Sequence, residues 1–163
     1  MIHDLTDDER VRQFWDAYAA SARVSAKKFA VLRFGDCADL ADELASQVVA
    51  GAKRANTRLL RDFVEHSRRI PEPGSFSVVI DGQNVPRCIV RILQVDIKPL
   101  GEVDETFAWD EGGGDRSLEW WRSAQTRYFR RRGAREGFTV DDSSELVLER
   151  FKVVWPLERA DPP

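Results

Sequence analysis

The spacing of the hydrophobic residues changes at Phe76, and no other feature of the sequence limits the possible folds as much. Before that point, apolar residues recur at helical spacing, first over residues 11–19. After it, residues 75–95 predict a β-hairpin whose two strands are joined by an Asp81-Gly82 turn. Helices that punctuate a small set of antiparallel strands are typical of an α+β domain, and we expect a compact barrel with helical inserts.

The same patterns place the remaining elements, which are helices over residues 39–50 and 117–132 and a last strand over residues 146–155. Residues 1–30 then form an N-terminal helical extension, which packs on the barrel or on the partner subunit of a homodimer. Residues 31–157 form the main domain. Residues 158–163 are expected to be a disordered tail.

Two helix starts carry capping signals. Thr6 and Glu9 have the spacing of a capping box, which predicts that the first helix begins there. Asp115 is expected to cap the helix that begins near Ser117. Trp121 lies on the apolar face of this helix and is expected to be buried in the core.

Composition limits the class of protein. The 163 residues are 42% hydrophobic and 33% charged, which is typical of one soluble globular domain. No apolar run is long enough to span a membrane, and the N-terminus lacks the features of a signal peptide. Cys37 and Cys88 therefore read as buried thiols of a cytoplasmic protein. Neither His3 nor His66 has a ligand-spaced partner, so we expect no metal and no other cofactor.

A basic segment follows the second helix, at the point where Gly51 ends it. It presents the cations Lys53, Arg54 and Arg58, with the amide of Asn56 and the hydroxyl of Thr57 between them. Cations and short polar groups on a sharp turn suit a phosphate or the polar edge of a base. The alternative is an ordinary helix C-terminus whose dipole is balanced by basic residues.

A second basic segment lies near the C-terminus and combines arginines with aromatic residues, among them Arg127, Tyr128, Phe129, Arg130 and Arg131. Such a face could neutralise a nucleic-acid backbone and stack its bases, with Trp120 as a further stacking candidate. The alternative is a solvated arginine face on an exposed helix. The net charge of −3 does not by itself indicate nucleic acid.

An ordered set of short motifs resembles the ASCH-domain family, whose members are small PUA-like β-barrels associated with RNA. The set spans residues 33–154 and consists of Phe34-Gly35-Asp36, Gly51-Ala52-Lys53, Asp81-Gly82, residues 103–108, Glu111-Gly112, residues 114–118 with Trp121, and Glu149-Arg150-Phe151. The resemblance implies a cleft lined by the Gly-x-Lys turn, the segment that ends at Glu111, and the helix start at Arg116 and Ser117.

Members of this family cleave or bind RNA, or hydrolyse the amide of N-acylated cytidine. In the amidohydrolases a Lys-x-x-Thr motif supplies a lysine and a nucleophilic threonine, which a glutamate assists. The resemblance assigns the lysine to Lys53 and the glutamate to Glu111. Asn56 occupies the threonine position and cannot serve as that nucleophile. Thr57, displaced by one residue, is the candidate nucleophile if a shifted turn brings it into place.

Three functions follow from these residues. The preferred one is a metal-independent ribonuclease that acts on single-stranded RNA, with Lys53 as base or charge stabiliser and Glu111 and Ser117 positioning the scissile group. Burial and the charges of Arg54 and Arg58 are expected to lower the pKa of Lys53. Arg116 would complete a phosphate-sized pocket. The alternatives are a binding module for RNA or a modified nucleotide, and an amidohydrolase of N-acylated cytidine.

Overall fold

The computed structural model describes residues 4–25 and 28–163 of the chain; His3 lies outside this part. The described helices are α1 (Glu9–Ala22), α2 (Ala38–Ala50), α3 (Leu60–Glu65), α4 (Glu105–Glu111) and α5 (Leu118–Glu136). The described strands are β1 (Ala30–Arg33), β2 (Ala55–Leu59), β3 (Phe76–Ile80), β4 (Pro86–Pro99) and β5 (Glu145–Trp155). Short 3-10 turns lie at Leu5–Asp7, Leu100–Glu102 and Leu157–Arg159.

The described strands form one mixed sheet in the order β1-β3-β4-β5-β2. β3 and β4 are the two antiparallel strands of the predicted hairpin, and β5 pairs antiparallel with β2. β1 pairs parallel with β3 and was not predicted. The prediction of an α+β fold is confirmed.

The chain divides into two compact units, the first of which holds residues up to 51 together with 72–93 and 151–163. Its core joins α1 to β3 and β4. Trp15 of α1 stacks on Phe29, with 4.9 Å between ring centroids, and meets Phe76 edge-on at 5.5 Å. Burying these large apolar surfaces attaches α1 to this unit.

Near the C-terminus, the Asp161 amide donates to the Val153 carbonyl, and the Asp161 carboxylate accepts from the Val153 amide.

The second unit holds residues 52–71 and 94–150. Its core contains buried residues of β2, α4, α5 and β5, among them Leu59, Phe107, Trp121, Phe129 and Leu146. Phe107 and Trp121 meet edge to face with 6.2 Å between centroids. Trp121 lies inside, as predicted. Phe129 is buried too, so the prediction that it shares an exposed stacking face with Tyr128 is wrong for Phe129.

Several local predictions are corrected by the side-chain contacts. Asp8, not Thr6, is the N-cap of α1, and its carboxylate accepts from the amides of Arg10 and Val11. Ser117 replaces Asp115 as the N-cap of α5. A carboxylate or hydroxyl satisfies amides that the helix itself leaves free.

Cys88 is buried as predicted, but the prediction is wrong for Cys37, which is exposed. Cys37 immediately precedes α2 as its N-cap residue and makes no side-chain capping hydrogen bond. Across the described ranges 4–25 and 28–163, none of the helices combines the length and apolarity that a bilayer crossing requires.

The aromatic contacts of α1 predict a large stability effect for Trp15→Ala. Truncating this buried side chain removes its packing against Phe29 and Phe76, and should lower the free energy of unfolding by about 3–5 kcal/mol. Trp109→Ala is the control, because that tryptophan is 57% exposed, and should cost less than about 1 kcal/mol. Urea denaturation followed by circular dichroism measures both, and equal losses would contradict the assignment of Trp15 to the core.

Candidate functional site

The basic segment after α2 is not only a turn, because it continues into β2 at Ala55. On a strand, alternate side chains point to opposite faces. Thr57 accordingly reaches Glu111, while its neighbours Asn56 and Arg58 reach Glu149. The segment therefore splits into two sets of polar contacts, each centred on a buried carboxylate.

Glu111 is the centre of the first set, which we call the Glu111 cluster: Lys53, Thr57, Glu111, Trp121 and Gln125. The Thr57 hydroxyl donates to Glu111 Oε2 at 2.9 Å, and the indole N–H of Trp121 donates to the same oxygen. Gln125 Nε2 donates to Oε1 at 3.3 Å, and Lys53 Nζ lies 3.6 Å from Oε1. Glu111 is only 8% exposed, so these donors replace water around its charge.

Lys53 is the cation of the cluster and is deeply buried, with 2% of its surface exposed. Its Nζ donates to the Ala55 carbonyl at 2.7 Å in addition to its ion pair with Glu111. Burial lowers the pKa of Lys53, while the carboxylates of Glu111 and Glu149 act in the opposite direction. The expected direction is correct, but its cause is burial and not repulsion by Arg54 and Arg58.

Glu149 is the centre of the second set, which we call the Glu149 cluster: Asn56, Arg58 and Glu149. Arg58 binds the carboxylate with two parallel hydrogen bonds, Nε to Oε2 at 3.0 Å and Nη2 to Oε1 at 2.6 Å. Asn56 Nδ2 donates to Oε2 at 3.3 Å. Glu149 is 1% exposed, and its role was missed because it was considered only as part of a motif. The signal that could have found it is that Glu149 is the one acidic residue within the predicted strand 146–155.

The loop at residues 112–117 joins α4 to α5, and its glycines serve internal packing. Gly112 has a φ of +81°, and a Cβ there would lie 2.1 Å from the Ala52 carbonyl oxygen. The ring of Trp120 covers Gly113 and Gly114, where a Cβ would come within 2.4 Å and 2.1 Å of it. The backbone of this loop is thus covered by this chain's own atoms.

Ser117 and Asp115 stabilise the start of α5. The Ser117 hydroxyl accepts from the Trp120 amide, and the Ser117 amide donates to the Asp115 carboxylate at 2.9 Å. Arg116 donates to the backbone carbonyls of Ala52 and Trp109. Arg54 donates through its guanidinium to the Lys53 carbonyl and through its amide to the Asp110 carbonyl.

The arginines of α5 do not converge on the Glu111 cluster. At about 100° per residue, Arg127 and Arg130 lie on the side of α5 opposite to Trp121 and Gln125, and Arg131 lies on the flank. All three arginines are exposed. The half-buried Tyr128 meets Phe129 edge to face, and Arg131 lies 5.5 Å from the Tyr128 ring centroid.

Trp120 remains 39% exposed on its outer side.

No group of three or more His, Cys, Asp or Glu side chains in the described ranges is arranged to hold a metal ion. The structure thus brings Lys53, Thr57 and Glu111 together, and directs Asn56 and Arg58 to a separate carboxylate.

Comparisons with known proteins address the family and the fold of the chain. The family model of the ASCH domain matches residues 30–155. The crystal structure of an ASCH domain from Lactobacillus crispatus JV V101 is 32% identical, with a TM-score of 0.79 over 89% of this chain and 94% of that one. A protein structure from Enterococcus faecalis V583 is 28% identical, with a TM-score of 0.81 over 89% of this chain and 88% of that one. Among curated proteins, none matches the chain.

The burial of Lys53 predicts a pH-dependent stability. Unfolded Lys53 binds a proton up to about pH 10.5, its ordinary value, whereas folded Lys53 releases it at lower pH. Between those two values the unfolded state binds more protons, so the free energy of unfolding rises with pH. Lys53→Met should remove this rise, and Lys28→Met, which replaces an exposed lysine, should retain it. Urea denaturation from pH 7 to 10 tests this, and parallel curves for the wild type and Lys53→Met would contradict it.

Proposed function

Because this chain belongs to the ASCH-domain family, we propose that its Glu111 cluster hydrolyses the amide of an N-acylated cytidine or a closely related acylated nucleobase. One observation carries the proposal. The Thr57 hydroxyl donates to Glu111 Oε2 at 2.9 Å, and Lys53 Nζ lies 3.6 Å from the other oxygen of the same carboxylate. A hydroxyl, a carboxylate base and a cation that orients the base form the arrangement that activates a nucleophile.

The chemistry assigns one role to each group. Glu111 takes the proton of the Thr57 hydroxyl as Oγ1 attacks the amide carbon. Lys53 offsets the negative charge that develops on the carbonyl oxygen of the amide. The C–N bond then breaks, and the exocyclic nitrogen of the base leaves with the proton from Glu111. Water, activated by Glu111, hydrolyses the threonine ester, releasing the carboxylic acid and restoring the Thr57 hydroxyl.

The choice of Thr57 over Asn56 rests on the strand geometry. Asn56 occupies the position of the family's threonine, but its amide donates to Glu149 at 3.3 Å. Thr57 is one residue later and therefore on the other face of β2, where its hydroxyl reaches Glu111. This contact supports a nucleophile displaced by one position.

A small amide fits the cluster better than a strand of RNA does. Lys53 and Glu111 are 2% and 8% exposed, and a base must come within about 3 Å of the proton that it removes. A small acylated base needs only the half-buried Thr57 hydroxyl to be reachable. A continuous RNA backbone would instead have to bring its 2′-hydroxyl to a buried lysine.

A second function, binding and cleavage of single-stranded RNA, is favoured by one specific observation. Arg127, Arg130 and Arg131 are exposed together on α5. Exposed arginines can neutralise a phosphate backbone, and Trp120 could stack a base. This function retains Lys53 as the base or charge stabiliser of a nuclease, with Glu111 and Ser117 positioning the scissile group.

Removing the nucleophile tests the amidohydrolase. Thr57→Val keeps the shape of the side chain and removes the hydroxyl, so kcat on N-acetylcytidine should fall by roughly 10³-fold or more. Asn56→Ala should change kcat little, because Asn56 belongs to the Glu149 cluster. Thr139→Val, which replaces an exposed threonine, is the matched control. Absence of turnover in the wild type, or full turnover in Thr57→Val, would contradict the proposal.

The RNA function predicts a different pattern on a denaturing gel of end-labelled single-stranded RNA with EDTA present. The wild type should produce fragments that disappear in Lys53→Ala. Replacing Arg127, Arg130 and Arg131 together by Gln should weaken RNA binding and reduce its dependence on salt by about 0.7 in log–log slope per lost phosphate contact. Intact RNA in every lane, together with binding that does not respond to these replacements, would reject this function.

A further inference from the structure

Arg116 combines an unusual backbone with an unusual set of contacts. Its φ is +65°, a left-handed value that non-glycine residues rarely adopt. The Arg116 amide donates to the Gly113 carbonyl at 2.8 Å, which fixes the turn between α4 and α5. A rare conformation of this kind persists where the surrounding contacts hold it, so it is a reason to ask what the side chain does.

The guanidinium of Arg116 links two segments that carry residues of the Glu111 cluster. Nη2 donates to the Ala52 carbonyl at 2.7 Å, and Ala52 immediately precedes Lys53. Nε donates to the Trp109 carbonyl at 3.0 Å, in the last turn of α4, which ends at Glu111. The group also lies over the Trp109 ring, 4.4 Å from its centroid. A planar guanidinium can hold both acceptors at fixed directions, which an ammonium cannot.

A second tie lies on the other side of Lys53. The Arg54 amide donates to the Asp110 carbonyl at 2.7 Å. The carbonyls of Trp109 and Asp110 belong to the C-terminal turn of α4, whose last carbonyls have no partner within the helix. Lys53 is thus flanked by two hydrogen bonds to the helix turn that carries Glu111, one from Arg116 and one from Arg54.

We propose that Arg116 is a positioning residue, which sets the distance between Lys53 and Glu111 by tying the backbone before Lys53 to the end of α4. This inference rests on the proposed function of the Glu111 cluster. Arg116 acts through backbone carbonyls and does not touch the reacting amide. It therefore differs from the phosphate-binding role that the sequence suggested for it.

Arg116→Gly is the sharpest test, because glycine adopts the left-handed backbone freely while removing the guanidinium. Arg116→Lys keeps the charge and loses the fork. For both variants kcat on N-acetylcytidine should fall about 10- to 100-fold with KM changed less than about threefold, because misplacement acts on the chemical step. Arg122→Lys is the matched control, since Arg122 also donates to a backbone carbonyl, that of Gly101, and should keep its kcat.

Amide hydrogen exchange at Arg54 provides a readout that does not depend on catalysis. Loss of the Arg116 tie should speed exchange of the Arg54 amide by about tenfold or more, with exchange in α1 unchanged. A higher KM at unchanged kcat would overturn the inference and make Arg116 a substrate contact. If the wild type has no turnover, the proposed function fails on its own. Arg54 exchange then decides the inference: faster exchange in Arg116→Gly supports it, and unchanged exchange overturns it.

Discussion

The second unit depends on one requirement, the burial of the Glu111 carboxylate among donors. A carboxylate removed from water is strongly destabilising unless hydrogen bonds and an opposite charge replace the lost hydration. Here the donors come from three separate elements: Thr57 from β2, Trp121 and Gln125 from α5, and Lys53 from the segment before β2. If any of these elements moved away, Glu111 would lose a partner. The charge therefore specifies how the elements of this unit meet.

The two buried carboxylates are kept apart by strand alternation. Thr57 and Asn56 are neighbours in sequence, yet the first serves Glu111 and the second serves Glu149. Arg58 binds Glu149 with two hydrogen bonds, whereas Lys53 forms an ion pair with Glu111. This division explains why an asparagine at position 56 is compatible with a hydroxyl at the cluster. In the proposed amidohydrolase, the nucleophilic hydroxyl therefore lies on the other face of the strand from residue 56, where it contacts Glu111.

The sequence predicts those elements whose pattern is long and regular. α1 and α2 each display a clear hydrophobic period, the β3–β4 hairpin is marked by its β-branched residues and Asp-Gly turn, and the ordered motifs were sufficient for the family. β1 has only four residues, and α4 has seven, too few to display a period. β2 is predicted as a turn because its sequence is polar. Its polar side chains are hydrogen-bonded to carboxylates far away in the sequence, which the local pattern does not reveal. Glu149 and Gln125 likewise form hydrogen bonds with residues distant in sequence, which no local pattern encodes.

The glycines of the α4–α5 loop show why composition alone misleads about a site. A run of three glycines is typical of backbone that a ligand can approach, but Trp120 covers two of them and the Ala52 carbonyl lies against the third. Close approach does require glycine here, although the approaching atoms belong to the chain itself. The same contacts bring Arg116 to the end of α4, where the orphan carbonyls accept its donors. The loop therefore caps the end of α4 and, through Arg116, holds the backbone that precedes Lys53.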